Sequence, residues 1–228
     1  MMQNLFPNGA PLPLLLVLSA VIAYFCGCFN GAVIVSKYIL RDDVRNHGSG
    51  NAGLTNFFRT FGGPLTFVVI LCDVLKAVVA LLVSEWLFNS GVAVFLSAAD
   101  TTIFWLTFAK YWGGLFCLLG HMFPCVFRFK GGKGILSGGT IAIMIDWRVA
   151  VVVWGGFLIL TLLTRYVSLG SLWAGASFPF ISWFCYPDPV IVVLAFLLGG
   201  LVVWQHRANI RRLLAGNENK LSFHKKKA

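Results

Sequence analysis

Charge is what this sequence has least of. Lys, Arg, Asp and Glu make up 11% of its 228 residues, and only 8 residues are acidic. A soluble globular domain usually carries about a quarter charged residues. Here 58% of residues are hydrophobic and the mean hydropathy is +0.83. A chain of this length has too little interior to hide so much apolar surface, so lipid must solvate the rest. Paired cysteine motifs are also missing. The cysteines (Cys26, Cys28, Cys72, Cys117, Cys125 and Cys185) lie in or beside apolar stretches, with no CxxC and nothing at zinc spacing. That implies no disulfide framework and no zinc site on the cysteines, and leaves small apolar filler as their reading. No positive n-region precedes the first apolar run, Leu12–Ile39. That run is far longer than the roughly 7–15 residues of a signal-peptide core, so it reads as a span. No internal repeat is visible. The length suits one polytopic membrane domain over 1–228 and leaves no room for a second.

What is present is a series of apolar runs. Candidates for spans are Leu12–Ile39, Pro64–Ser84, Tyr111–Phe127, Gly134–Asp146, Val149–Leu163, Val167–Tyr186 and Pro189–Gln205. A helix crossing a bilayer needs about 20 apolar residues. The fourth and fifth runs are short and separated only by Trp147-Arg148, so a bent or re-entrant pair is an alternative there. Glu85–Lys110 is interrupted by Glu85, Asn89, Asp100 and a Ser/Thr cluster, and reads as a loop with an interfacial amphipathic piece. The fold class is therefore an all-α integral membrane protein of about seven transmembrane helices. Placing the C-terminus in the cytoplasm and the N-terminus outside puts 15 of the 18 Lys and Arg residues inside, as the positive-inside rule asks. Lys110 and Arg148 fall outside and Lys76 lies within a span. The expected location is the inner (plasma) membrane, multi-pass, with Lys225-Lys226-Lys227 beside anionic lipid or a remnant of expression.

Three inside segments hold most of the polar residues a reaction would use. The first is Arg45-Asn46-His47-Gly48-Ser49-Gly50-Asn51-Ala52-Gly53-Leu54-Thr55-Asn56-Phe57-Phe58-Arg59. Gly48, Gly50 and Gly53 allow close backbone approach. Ser49, Asn51, Thr55 and Asn56 add neutral donors, and Arg45 and Arg59 add charge suited to phosphate. Arginines at both ends favour anion binding over a merely solvated glycine loop. The second segment, Phe129-Lys130-Gly131-Gly132-Lys133-Gly134, fails the Walker A pattern. Gly134 follows the lysine where Ser or Thr is required, and Phe127 stands at the first glycine. A nest of N–H groups with one lysine still suits phosphate; a positive-inside anchor with glycine turns is the other reading. The third segment is His206-Arg207-Ala208-Asn209-Ile210-Arg211-Arg212-Leu213-Leu214, followed by Gly216-Asn217-Glu218. In a helix, His206 and Asn209 share a face, although a juxtamembrane basic anchor needs no more than the charges. Asp73 and Lys76, at i and i+3 within the second span, are expected to pair toward the bundle interior. His121 reads as a hydrogen-bonded structural residue, and Ser168 and Ser171 as hydroxyls bonded to their own helix backbone.

In order and together, these segments resemble the acyl-phosphate-dependent glycerol-3-phosphate acyltransferase family, PlsY. The match takes in Arg45 through Arg59, Leu71 through Lys76, Gly120 through Gly134, Arg165 through Ser171 and His206 through Glu218. The resemblance implies a seven-helix enzyme with a cytoplasmic-side site that moves a fatty acyl group from acyl phosphate to the 1-hydroxyl of glycerol 3-phosphate. The products would be lysophosphatidic acid and phosphate. Positions matching Ser49, Arg59, Lys133, Ser171, His206 and Asn209 would line the pocket. Ser49, His206 and Asn209 are the candidates for the catalytic step. Arg45, Gly48, Gly50, Asn51, Thr55, Asn56, Arg59, Gly131, Gly132, Lys133, Gly134 and Ser171 are the candidates for binding the substrates. The partners implied are the two substrates and the bilayer, with no cofactor, metal or nucleic acid. Gly27-Cys28-Phe29-Asn30 stands where the family usually has Gly-Ser-Ile-Pro, which leaves the bend of the first helix open. The His-x-x-x-x-Asp motif of another acyltransferase class is not found at any histidine. A membrane transporter of phosphorylated or anionic solutes is the rival reading, though the polar motifs crowd one face rather than the midplane.

Overall fold

The computed structural model describes residues 10–92 and 99–221, and the regular structure among them is helical. The chain divides into two compact units between Ile145 and Asp146.

In the first unit, α1 (Leu12–Cys28), α4 (Leu65–Val92) and α5 (Ala99–Met122) pack on one another, and α6 (Ile135–Ile145) packs on α4 and α5. α1 and α5 meet through glycines. A Cβ on Gly27 would overlap the Cys117 carbonyl, and one on Gly120 would overlap the Tyr24 carbonyl. Neither position can hold a larger residue without separating the helices, the small-residue packing usual in membranes. The helical path breaks at Phe29 and resumes as α2 (Gly31–Ile34), which runs into a π-helical turn, Val35–Ile39. No proline makes this break. Asn30 caps the new turn, its Oδ1 accepting from Val33 N at 3.0 Å, as Asn does at helix starts. The short α3 (Leu54–Thr60) follows the glycine-rich segment.

Residues 85–110 correct the sequence reading. They are not a loop with an interfacial piece, because α4 continues to Val92 and α5 starts at Ala99; residues 93–98 lie outside the described residues. Glu85 misleads because its partner is on the neighbouring helix. Lys110 pairs with Glu85 at 3.3 Å. Phe88 packs on Trp105 and Phe108, with ring centroids 5.9 and 5.5 Å away.

In the second unit, α8 (Val167–Cys185) packs against both α7 (Trp147–Thr164) and α9 (Pro189–Gln205), and α10 (Arg207–Leu214) packs on α8 and α9. Asp146 caps α7 through Arg148 N, and Asp188 caps α9 through Val190 N and Ile191 N. Pro179 within α8 frees the carbonyl four residues back. That carbonyl, Gly175 O, lies where a Cβ on Gly199 of α9 would be.

Large apolar side chains face outward; Phe67 is 71% and Phe184 82% exposed. Such faces need lipid. The runs Leu12–Ile39, Leu65–Gly91, Ile103–Phe127 and Trp147–Thr164 are long and apolar enough to cross a membrane, and α9 with α10, bent by 55°, makes a fifth if taken as one span. α6, at 11 residues, is about 16 Å long at 1.5 Å per residue. That is too short to cross a hydrocarbon core of about 30 Å alone.

Candidate active site

In the first unit, the Arg45–Arg59 segment is folded around one side chain. Asn56, 5% exposed in the first turn of α3, donates through Nδ2 to Val44 O, His47 O and Asn51 O at 3.0, 3.0 and 3.1 Å. Its Oδ1 accepts from Ser49 N at 3.1 Å. Gly48 and Gly50 have φ of +57° and +68°, and a Cβ on Gly48 would overlap Asn56 Oδ1. The segment is thus a built loop rather than a solvated glycine run. Ser49 and Arg59 are exposed, and Asn51 and Thr55 partly so, while Asn56 is spent on the backbone. Arg45 is engaged too. It pairs with Asp43 at 2.7 Å and donates through Nη1 to Phe127 O at 3.0 Å and Lys130 O at 3.4 Å. The guanidinium hydrogen bonds hold the Asp43 carboxyl below the usual carboxylate range. Arg45 therefore joins the first polar segment to the second.

The second segment lies along the first. Ala52 N donates to Gly131 O at 3.4 Å, and Ala52 O accepts from Asn30 Nδ2 at 3.0 Å. Gly131 N donates to Met122 O and Gly132 N to His121 O, at 3.2 and 3.1 Å. This corrects the expected nest. The N–H groups of Gly131 and Gly132 are consumed by backbone carbonyls, so these glycines serve close packing instead. Lys133 stands partly buried at the entry to α6, next to Gly134 with φ of +76°.

Beneath this loop, Lys76 pairs with Asp73 at 2.7 Å, as expected, and also meets His121 Nδ1 at 2.5 Å. Sequence reasoning took His121 singly, because its partners lie 45 or more residues away. Asn30 was missed because the Ala52 carbonyl it holds is 22 residues on. Asp43 was missed although its partner Arg45 is only two residues away, a spacing that signals a local ion pair.

In the second unit, His206 sits between α9 and α10 and is 3% exposed. Its Nδ1 lies 2.8 Å from Val202 O. A carbonyl only accepts, so Nδ1 carries the proton and Nε2 is the basic nitrogen of the neutral ring. Asn209, on α10, donates to Glu218 Oε1 at 2.9 Å, and Arg212 Nε donates to Glu218 Oε2 at 2.7 Å. Burial alone would raise the Glu218 carboxyl, but these hydrogen bonds hold it below the ordinary glutamate value. Glu218 was not among the predicted site residues; its signal was an isolated acid just beyond a basic helix. Ser171 is 2% exposed and donates to Val167 O at 2.8 Å, within its own helix as expected. Among the described residues, no group of His, Cys, Asp and Glu could hold a metal ion.

The family model described as glycerol-3-phosphate acyltransferase matches residues 17–216. A glycerol-3-phosphate acyltransferase of Thermoanaerobacter pseudethanolicus is 35% identical over 206 residues, covering 90% of this chain and 95% of the relative. One of Endomicrobium trichonymphae is 33% identical over 218 residues, covering 94% and 100%. Among solved structures, PlsY (YgiH), an integral membrane glycerol 3-phosphate acyltransferase, matches in its glycerol 3-phosphate form with a TM-score of 0.76 and 31% identity, over 91% of this chain and 96% of that one. Its lysophosphatidic acid form matches with a TM-score of 0.73 and 30% identity, over 91% and 95%. The order of polar segments, the helical membrane fold and these likenesses agree, and the chain belongs to the PlsY family of glycerol-3-phosphate acyltransferases and is an acyltransferase.

Proposed function

We propose that the enzyme takes its fatty acyl group from acyl phosphate and gives it to the 1-hydroxyl of sn-glycerol 3-phosphate. The hydroxyl oxygen attacks the acyl carbonyl, the C–O bond to phosphate breaks, and lysophosphatidic acid and inorganic phosphate leave. The observation that carries this reading is the joining of two anion-suited segments in one unit by Ala52 and Arg45. Both substrates bear phosphate. Lys133 and Arg59 are the cations proposed to bind the phosphates and to stabilise the leaving group, with Ser49, Asn51 and Thr55 as neutral donors. Acyl phosphate is already activated, so positioning alone supplies up to ~7–11 kcal/mol of the barrier in favourable cases. His206 is proposed to take the hydroxyl proton at Nε2 and pass it to the departing phosphate, a reading supported by the Nδ1 contact with Val202 O. Asn209 and Ser171 serve the same reaction. The acyl chain is apolar and would lie among helices; α1 and α4 flank a recess of about 300 Å³ lined by Phe29, Leu71, Leu75 and Val79.

We further propose one domain of seven crossings in the inner membrane, with the short α6 crossing only where α4 and α5 shield its ends from lipid, the N-terminus outside and the reaction on the cytoplasmic side. Support comes from the sorting of Lys and Arg, 15 of 18 to one side. Glycerol 3-phosphate then arrives from water and the acyl donor from the bilayer.

The test is incubation of purified protein with palmitoyl phosphate and glycerol 3-phosphate while phosphate release is followed. Release is expected only with both present. An inert acyl phosphate beside an active acyl thioester would overturn the donor assignment, and uptake of glycerol 3-phosphate into sealed vesicles without acylation would favour a transporter.

A further inference from the structure

The proposed chemistry makes no use of the most buried charges in the first unit. Lys76 is 5%, Asp73 2% and His121 2% exposed, all within membrane-crossing segments, where ionisable side chains are rare and need partners. The Lys76 ammonium reaches Asp73 Oδ1 at 2.7 Å, Phe29 O at 3.3 Å and His121 Nδ1 at 2.5 Å. An ammonium has donors and no lone pair. His121 Nδ1 therefore accepts, its ring proton is on Nε2, and every ammonium proton has a partner. An Asp–Lys pair would already balance charge, so the histidine is surplus to neutrality.

What the histidine touches on its other side gives it a task. Its carbonyl accepts Gly132 N, and the next carbonyl, Met122 O, accepts Gly131 N. The ring lies against Gly132 itself: a Cβ there would overlap His121 Nε2 and fall 2.9 Å from Ala52 O. Gly132 immediately precedes Lys133. The imidazole is thus a wedge between the ion pair below and the glycine loop above, and the loop cannot move toward the ion pair without pushing the ring off Lys76.

We infer that His121, held in place by Asp73 and Lys76, is a positioning residue that sets where the Lys133 ammonium meets phosphate. This rests on the proposed phosphate role of Lys133. Asn at position 121 retains an acceptor near the place of Nδ1 but lacks the ring edge that supports Gly132. The ion pair itself can be removed without leaving a stranded charge by the double change Asp73→Leu/Lys76→Met, since apolar replacement of a buried pair is often neutral or stabilising. A role limited to holding the bundle together predicts that such a folded variant keeps its phosphate affinity.

The test is binding of inorganic phosphate to the purified full-length protein by titration calorimetry, which needs no turnover, with thermal unfolding as the check on folding. His121→Asn and Asp73→Leu/Lys76→Met are each expected to weaken phosphate binding roughly tenfold, the scale of a sub-ångström to ångström misplacement, and in steady state to raise KM more than they lower kcat. In a Lys133→Ala background His121→Asn should change phosphate binding less than twofold, because the group it positions is gone. Unchanged affinity in either folded variant, or an undiminished effect of His121→Asn in the Lys133→Ala background, overturns the inference. Should Lys133→Ala alone leave phosphate binding intact, the phosphate role of Lys133 fails first and the inference with it. Weakened binding in Lys133→Ala beside parental binding in His121→Asn sinks the positioning role only.

Discussion

Replacing Asn56 tests the loop built around it. The side chain makes three donor contacts and one acceptor contact to backbone, at 3.0 to 3.1 Å. Its two amide protons are shared among three carbonyls, so the contacts count as about three bonds. A net bond is worth about 1 kcal/mol, and a buried group left unpaired costs about 1–3 kcal/mol. Val44 O is the buried one of the three; the others can regain water. Asn56→Ala should therefore cost about 2–3 kcal/mol. Because the loop is local, much of this falls on the ordering of Ser49 and Asn51 rather than on global unfolding. A penalty of about 2 kcal/mol is about 30-fold in apparent affinity. The assay is phosphate release against glycerol 3-phosphate concentration in detergent, with thermal unfolding alongside. Asn56→Asp is the sharper variant, because it turns an oxygen toward three carbonyl oxygens and adds negative charge to a proposed anion site. It should be worse than Asn56→Ala although it keeps the volume of the parent side chain. Parental KM and unfolding temperature in both variants would refute the reasoning.

The remaining predictions concern packing, charge and orientation. Gly120→Ala should destabilise strongly, since its Cβ would overlap Tyr24 O across the α1–α5 contact, with a lower melting temperature as the readout, whereas Gly200→Ala, with nothing within 4 Å, should not. Glu218 has a depressed folded pKa, so its contribution is present above the unfolded value of about 4.3 and is lost as pH falls through the folded value. Glu218→Gln should remove that acid-dependent step, at a cost of about 1 kcal/mol after screening of the partly exposed Arg212, measured as unfolding temperature against pH. Arg59→Ala, Lys133→Ala and His206→Ala should each lose most activity, ten- to a hundred-fold or more, while still inserting and purifying; full activity in all of them would end the site assignment. Single cysteines at positions 8 and 225, both outside the described residues, should label from outside and inside respectively in a background without the native thiols, and labelling from one side would refute an odd number of crossings.

The span limits at Leu12, Ile39, Pro189 and Gln205 could be read directly, because apolar composition changes abruptly there. Residues 85–110 could not, since Glu85 looks like an interruption until Lys110 of the adjacent helix is seen opposite it. The same distinction divides the site. Glycines near one another in sequence announce a tight loop, and Gly48 and Gly50 do take positive φ. Asn56, by contrast, looked like one more donor, and only the fold reveals that it is consumed by Val44, His47 and Asn51. Arg45 looked like a phosphate ligand and is tied to Asp43 and to the second segment. The break at Asn30 needs no proline: a side-chain cap starts the new turn.

The buried lysine also bears on how the helices find their alignment. Apolar faces slide past one another at little cost in lipid, where no water is present to penalise a wrong match. A one-turn slip of α4 against α5, about 5.4 Å, would pull Lys76 from His121 and from Phe29 O while keeping Asp73, its own helix neighbour. Two ammonium protons would then face hydrocarbon, each costing several kcal/mol. Misaligned bundles are thereby disfavoured during assembly by an electrostatic key with a single fit.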